Sequence, residues 1–262
     1  MTAAVIARAA IVPVFAESTL RAEQVTQLVL GETADILETS VEWRKVRTGL
    51  DRYVGWVHSG YCIELDTEAA DAWRRDATGW SHGATVRAGE ARIRLPLRAR
   101  AAIEGDAIRL PDGRRGRLLD GTITAAAETA AAARAKAPER WAAEYFAGAP
   151  YEWGGVTPCG VDCSGVVQTT FLARGLSLPR DSAQQAECGA SVPPDAVRPG
   201  DLLFFRSDTG ARITHVAFAG EADTLVHSTV GVGGMVQEPW LPGSRAAPLR
   251  ERLVAVRRLE SR

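Results

Sequence analysis

The sequence predicts an α+β chain: two small β-rich segments, then an α+β domain in which one helix leads into strands. Three observations predict it. Short apolar runs broken by turn-forming residues fill the chain as far as Ile123. Composition then shifts sharply to alanine. Finally, a capped apolar stretch from Asp162 to Gly175 precedes several strand-like runs.

In the first segment, residues 1–62, Ala10 to Phe15 reads as the opening strand. Ala34 to Leu37, Trp43 to Val46 and Tyr53 to Val57 read as further strands. In the second segment, residues 63–123, Ile93, Leu95 and Leu97 alternate with Arg92, Arg94 and Arg98, the period of a half-buried strand. These arginines, with Arg100, read as the strand's wet face rather than as a binding patch. Leu110-Pro111-Asp112-Gly113 marks a turn, because proline presets one turn angle and glycine takes the unusual one. Each segment has the length of a small barrel. In the third, residues 124–262, Ala125 to Ala137 should be helical, and Pro138 suits the first turn of a second helix carrying Trp141, Glu144 and Tyr145.

Composition bounds the function. The 262 residues are 46% hydrophobic and 24% charged, ordinary for a globular chain of two or three domains. The net charge of -1 gives no global attraction to nucleic acid or an anionic membrane, so no nucleic-acid partner is expected. No apolar run approaches the roughly 20 residues of a membrane span. The apolar run Ala9 to Ala16 follows Arg8 and is interrupted by Pro13, so it reads as a strand rather than a leader. A cytoplasmic location is the expectation, with secretion or wall association as the alternative; a monomer is expected. The four cysteines lack zinc-ligand spacing. Cys62 and Cys188 read as structural. Cys159 reads as a loop or packing residue, with a regulatory disulfide to Cys163 as the alternative.

Chemistry concentrates at Asp162-Cys163-Ser164-Gly165. Val166, Val167, Thr170 and Phe171 recur at helical spacing, Gly175 ends the helix, and Asp162 is a good N-cap. Cys163 then lies in the first helical turn, where the helix end stabilises a thiolate and free N–H groups can hold an oxyanion. A thiol nucleophile wants an imidazole. His215 and His227 fall in the strand-like runs Ile213 to Ala219 and Asp223 to Thr229, joined by Gly220-Glu221-Ala222. A three-residue loop there would set the two histidines directly opposite each other, one orienting the other. His215 is the candidate base and His227 the orienting member of a triad.

Pro150 to Gly155 and Gly160 to Gly165 resemble the NlpC-type family of bacterial cell-wall peptidases. Pro179-Arg180-Asp181-Ser182 with Gln185, Arg198 to Phe205, Thr214 to Ala217 and Val226-His227-Ser228 extend the resemblance in order. It implies a papain-like fold, a Cys163–His215–His227 triad and no metal or organic cofactor. It further implies that Tyr151 stands beside the nucleophile and that Asp162, Ser182 and Ser164 line the substrate cleft. The N-terminal segments resemble tandem bacterial SH3-like barrels, the first through Gly31-Glu32, Trp43, Val46, Tyr53 and Gly55-Trp56-Val57. Two such barrels before this domain are similar to the subgroup that cleaves γ-D-glutamyl–diamino acid bonds of muropeptides with a free N-terminal L-alanine. By that resemblance Tyr53 and Glu23, with Glu32 as the alternative to Glu23, join Asp162 in holding the α-ammonium. The runner-up is an endopeptidase acting on intact peptidoglycan. A wall-binding protein without activity and an acyltransferase on the same fold are the more distant readings.

Overall fold

The computed structural model describes residues 3–259 and divides into two compact units, with the boundary between Thr129 and Ala130. The first unit opens with seven strands: β1 (Ala4–Ala7), β2 (Ile11–Phe15), β3 (Gln24–Val29), β4 (Thr33–Ser40), β5 (Trp43–Thr48), β6 (Val54–His58) and β7 (Cys62–Leu65). They form one antiparallel sheet in the order β3-β2-β6-β5-β4-β1-β7. Val5, Val12, Val14, Leu28, Val46 and Val57 close over its core. Ile11–Phe15 is therefore the second strand, since Ala4–Ala7 already pairs with both β4 and β7. The latter pairing carries the first sheet to Leu65, three residues past the expected boundary.

Helix α1 (Thr67–Asp76) follows, where the sequence reading expected only strands. Asp66 Oδ1 caps it by accepting from Ala69 N at 2.8 Å, and Trp73 anchors its buried face. Strands β8 (Gly79–Ala88), β9 (Ala91–Glu104), β10 (Ala107–Arg109) and β11 (Arg115–Ala125) then close a barrel. The Leu110–Gly113 turn joins β10 to β11, with Gly113 at φ +81.

The arginines of β9 divide against expectation. Arg92 and Arg94 are exposed, but Arg98 adopts φ +80 at a bulge and turns inward. It is 2% exposed and pairs with Glu32 at 2.6 Å, while Arg100 lies over the Trp80 ring at 4.6 Å. The wet-face reading holds for the first two only.

Helix α2 (Ala126–Arg134) crosses the unit boundary and α3 (Pro138–Tyr145) follows. The second unit continues with the short pair β12 (Val156–Thr157) and β13 (Gly160–Val161), then α4 (Cys163–Ala173) and α5 (Ser182–Gln185). Its main sheet comprises β14 (Ala190–Ser191), β15 (Leu202–Arg206), β16 (Ile213–Ala219), β17 (Thr224–Thr229), β18 (Gly234–Pro239) and β19 (Leu253–Arg258), in the order β14-β19-β15-β16-β17-β18. Helix α4 is buried along its whole length, with Gln168 Nε2 donating to Leu178 O at 3.2 Å and Thr169 Oγ1 to Val156 O at 2.9 Å, and packs on β16 and β17 with Phe171 and Phe218 centroids 6.0 Å apart. Gly175 at φ +79 ends it, its N–H donating to Leu172 O and that of Leu176 to Phe171 O. No helix among the described residues is long and apolar enough to cross a membrane.

Candidate active site

Cys163 is the first residue of α4 and only 8% exposed. Asp162 fixes the turn before it. Asp162 Oδ1 accepts from Gly165 N at 2.7 Å and Ser164 Oγ at 3.2 Å, and Oδ2 accepts from Gly154 N at 2.9 Å. Arg180, 2% exposed, donates to both carboxylate oxygens and to Ser164 Oγ at 2.7 Å. This buried fork-to-fork pair fastens the nucleophile's loop to the chain before α5. Nothing in the residues around Arg180 announces this role, because its partner lies 18 positions earlier in the chain.

The histidine strands differ in register from expectation. Phe218 pairs with Val226 and Ala219 with Leu225, so the connecting loop is longer than three residues. Ala222 and Asp223 both take φ +52 there, a left-handed stretch that the loop sequence did not announce. His215 and His227 are consequently diagonal neighbours rather than opposite ones. A register displacement of two keeps both on one face of the sheet, and their long rings bridge the diagonal. His215 Nε2 lies 2.7 Å from His227 Nδ1, with ring centroids 4.9 Å apart.

Beyond those two pairs the strands part, and the Val216 amide donates to the Cys163 sulfur. The backbone of the residue after His215 thus touches the nucleophile. Phe205 stacks on the His215 ring at 5.8 Å, fixing its plane. His227 is 2% exposed, and its Nε2 meets Glu238 Oε1 at 2.8 Å. Arg245 grips that carboxylate through both oxygens, with Nε 2.9 Å from Oε2. Glu238 and Arg245 carried no signal in the sequence: their partners come from the pairing of β17 with β18 and the loop beyond it.

Burial dominates the electrostatics. It pushes the Cys163 thiol up to about 12, with the Asp162 charge adding to the rise. The amides of Val216 and Ser164 and the Arg180 charge act in the opposite sense. Burial also takes the His215 imidazole down to about 3, helped by His227 and Arg245. His227 is lowered by burial against an opposing pull from Glu238. These surroundings favour a neutral Cys163 thiol and a neutral His215 imidazole.

Tyr151 is half-buried, and burial raises its hydroxyl pKa, with Cys163 and Asp162 adding to the rise. Ser182 is 9% exposed in the first turn of α5. Ser164 is turned inward to Asp162 and Arg180. In the first unit, Tyr53 is half-buried, its N–H donating to Thr48 Oγ1 at 2.8 Å, and Glu23 is exposed. Glu32 is taken up internally, by Arg98 and by Val29 N at 3.0 Å. All four cysteines are free; Cys159 is exposed and Cys62 is buried, its thiol pushed up to about 12 by burial. Among the described residues no cluster of three or more His, Cys, Asp or Glu could hold a metal ion.

Against this geometry stand the similarities to known proteins. Residues 148–246 match the NlpC/P60 family, and residues 14–61 match the bacterial dipeptidyl-peptidase Sh3 domain; strands β8–β11 lie outside that second match. Over 85 residues the chain is 44% identical to the gamma-D-glutamyl-L-lysine dipeptidyl-peptidase of Bacillus subtilis, covering 32% of this chain and 29% of that protein. Over 89 residues it is 40% identical to the probable endopeptidase NlpC of Escherichia coli, covering 34% of this chain and 58% of the relative. The match thus spans less than two thirds of either relative. The crystal structure of an NlpC/P60 family protein from Bacillus cereus superimposes with a TM-score of 0.77 at 20% identity, covering 98% of this chain and 99% of that one. The chain therefore carries a papain-like NlpC/P60 family domain behind a bacterial dipeptidyl-peptidase Sh3 domain.

Proposed function

We propose that the chain is a cysteine peptidase that hydrolyses the γ-D-glutamyl bond to meso-diaminopimelate or L-lysine in muropeptides with a free N-terminal L-alanine. The observation that carries the peptidase reading is Cys163 at a capped helix N-terminus, against the Val216 amide, with His215 held by His227. The substrate class is supported by the pairing of the two matched domains and by the name of the Bacillus subtilis relative.

In this reading the Cys163 sulfur attacks the γ-carbonyl of D-glutamate as His215 takes the thiol proton. The helix-terminal amides receive the oxyanion. His215 returns that proton to the departing amine of the diamino acid, and the C–N bond breaks to leave a thioester. Water, deprotonated by His215, then releases L-Ala-γ-D-Glu and restores the thiol. Tyr151 and Ser182 contact the substrate. Asp162 and Ser164, whose side chains are engaged by Arg180 and by each other, shape the cleft floor. Tyr53 and Glu23 receive the α-ammonium. Peptide recycling in the cytoplasm is the physiological setting that this specificity suits.

The test is mass-spectrometric product analysis with L-Ala-γ-D-Glu-diaminopimelate and its N-acetyl derivative. Release of L-Ala-γ-D-Glu from the free peptide alone, abolished by Cys163→Ala and weakened by Tyr53→Phe or Glu23→Gln, is the expected result. Equal cleavage of both peptides favours the second reading, an endopeptidase on intact peptidoglycan, which the name of the Escherichia coli relative suggests.

A further inference from the structure

His215, His227 and Glu238 occupy three adjacent strands, β16, β17 and β18, and share one face of the sheet. Each contacts the next along a diagonal: His215 Nε2 to His227 Nδ1 at 2.7 Å, then His227 Nε2 to Glu238 Oε1 at 2.8 Å. In the β17–β18 register His227 faces Val236, two residues before Glu238, so this second step repeats the offset of the first. Glu238 is 8% exposed and is oriented by Arg245 through both oxygens. We propose that Glu238, held by Arg245, is a positioning residue that sets the tautomers of both histidines and so leaves His215 Nδ1 unprotonated and able to take the thiol proton. The inference deepens the peptidase reading and rests on it.

An ionised carboxylate only accepts, so the hydrogen on the His227–Glu238 contact belongs to His227 Nε2. A neutral imidazole carries one N–H, so His227 Nδ1 is then an acceptor. The contact at His227 Nδ1 therefore takes its hydrogen from His215 Nε2. Neutral His215 has spent its one hydrogen there, and its Nδ1 keeps a lone pair. Remove the carboxylate and His227 can take the other tautomer. Its Nδ1–H would then point at His215 Nε2, forcing the His215 hydrogen onto Nδ1, where it blocks proton uptake from a thiol.

Arg245 matters because it contacts both oxygens of Glu238 and so fixes which of them faces His227. The charged and titratable groups around His227 are His215 on β16, Glu238 on β18 and Arg245 in the loop after β18. Among the described residues, none besides Glu238 is an anion in contact with either ring.

The experiment compares wild type, Glu238→Gln, Glu238→Ala and Arg245→Met in the full chain. Readouts are histidine tautomers by long-range proton–nitrogen NMR, the rate of Cys163 alkylation by iodoacetamide at neutral pH, and kcat and KM on the tripeptide. Glu238→Ala should redistribute the His227 tautomers and slow both alkylation and kcat by about 10- to 100-fold with KM unchanged, the usual scale for a residue that orients an imidazole. Glu238→Gln, which still offers Oε1 as an acceptor, should keep most of the rate, and Arg245→Met should fall between. Where Glu238→Ala does not fold, Arg245→Met carries the comparison. Unchanged tautomers, or equal losses in the Gln and Ala variants, would overturn the proposal. Alkylation and NMR need no substrate: a protein that ignores the tripeptide yet shows the tautomer effect refutes the substrate assignment and leaves this inference standing.

Discussion

Arg180→Met is the change whose consequence the structure fixes most closely. The substitution keeps an unbranched apolar stem and deletes the guanidinium that answers Asp162. Both partners are almost wholly buried, with side chains 2% and 8% exposed. Breaking such a pair from one side costs about 3–5 kcal/mol, because the remaining ion stays buried and uncompensated. Asp162 keeps three donors, the amides of Gly154 and Gly165 and the Ser164 hydroxyl, and sits at the N-terminus of α4. Those contacts, with the helix dipole, offset part of the loss and leave a cost of about 3 kcal/mol. Local opening of α4 should then rise by roughly 100-fold. Hydrogen exchange followed by mass spectrometry on α4 peptides measures that opening in the full chain and isolates it from the N-terminal unit. Asp162→Asn with Arg180→Met should recover about 1–3 kcal/mol relative to the sum of the singles, since a neutral amide tolerates the missing cation. Additivity within about 0.5 kcal/mol would refute the view that this pair fastens the nucleophile's loop.

Two further outcomes follow from the same site. Gly165→Ala places a Cβ 2.1 Å from Gly155 O, a backbone atom that can yield only by displacing the β12 approach; α4 should lose its seat and the protein its activity, read by product release and by exchange of the α4 amides. His215 has its pKa taken down to about 3 from an ordinary 6.5, so below pH 6.5 the unfolded chain binds a proton that the folded one refuses. Stability should therefore be fully present above pH 6.5 and decline toward pH 3, by at most about 1.4 kcal/mol per pH unit from this group. Urea midpoints across that range, with His215→Gln as the variant that loses this component, check the sign and the source.

What the sequence made legible was local. The cap at Asp162, the apolar run and Gly175 define α4 within a dozen positions, so the helix and Cys163 at its start follow from neighbouring residues. The facing of His215 and His227 survived an incorrect register because side-chain direction repeats every two residues. A displacement of one would have sent the rings to opposite faces. The cause of the displacement, left-handed Ala222 and Asp223, is invisible in residue type, since neither is a glycine. Arg98 was misread for the same reason: one residue at φ +80 inverted the alternation on which its exposure was judged. Helix α1 offered only a cap at Asp66 and a short alanine-rich run between strands. Arg180 and Glu238 depend on partners 18 and 11 positions away, brought close by tertiary packing that no local pattern encodes.

The neutral resting pair and the Glu238 row explain each other. Were Cys163 and His215 a thiolate and an imidazolium at rest, both ring nitrogens of His215 would carry hydrogen, and tautomer control would have nothing to act on. Burial moves the two groups the other way, up to about 12 for the thiol and down to about 3 for the imidazole, so His215 waits as a neutral ring with one proton to place. Only then does the choice between Nδ1 and Nε2 decide whether it can act as a base, and the hydrogen bonds to His227 and Glu238 make that choice. From that state the thiol proton is expected to move as the sulfur attacks, with the Val216 and Ser164 amides stabilising negative charge on sulfur as it develops. Alkylation of Cys163 should then run measurably slower in heavy water than in light water at matched acidity. An ion pair formed in advance predicts no such slowing, and its observation would remove the reason for Glu238 to be where it is.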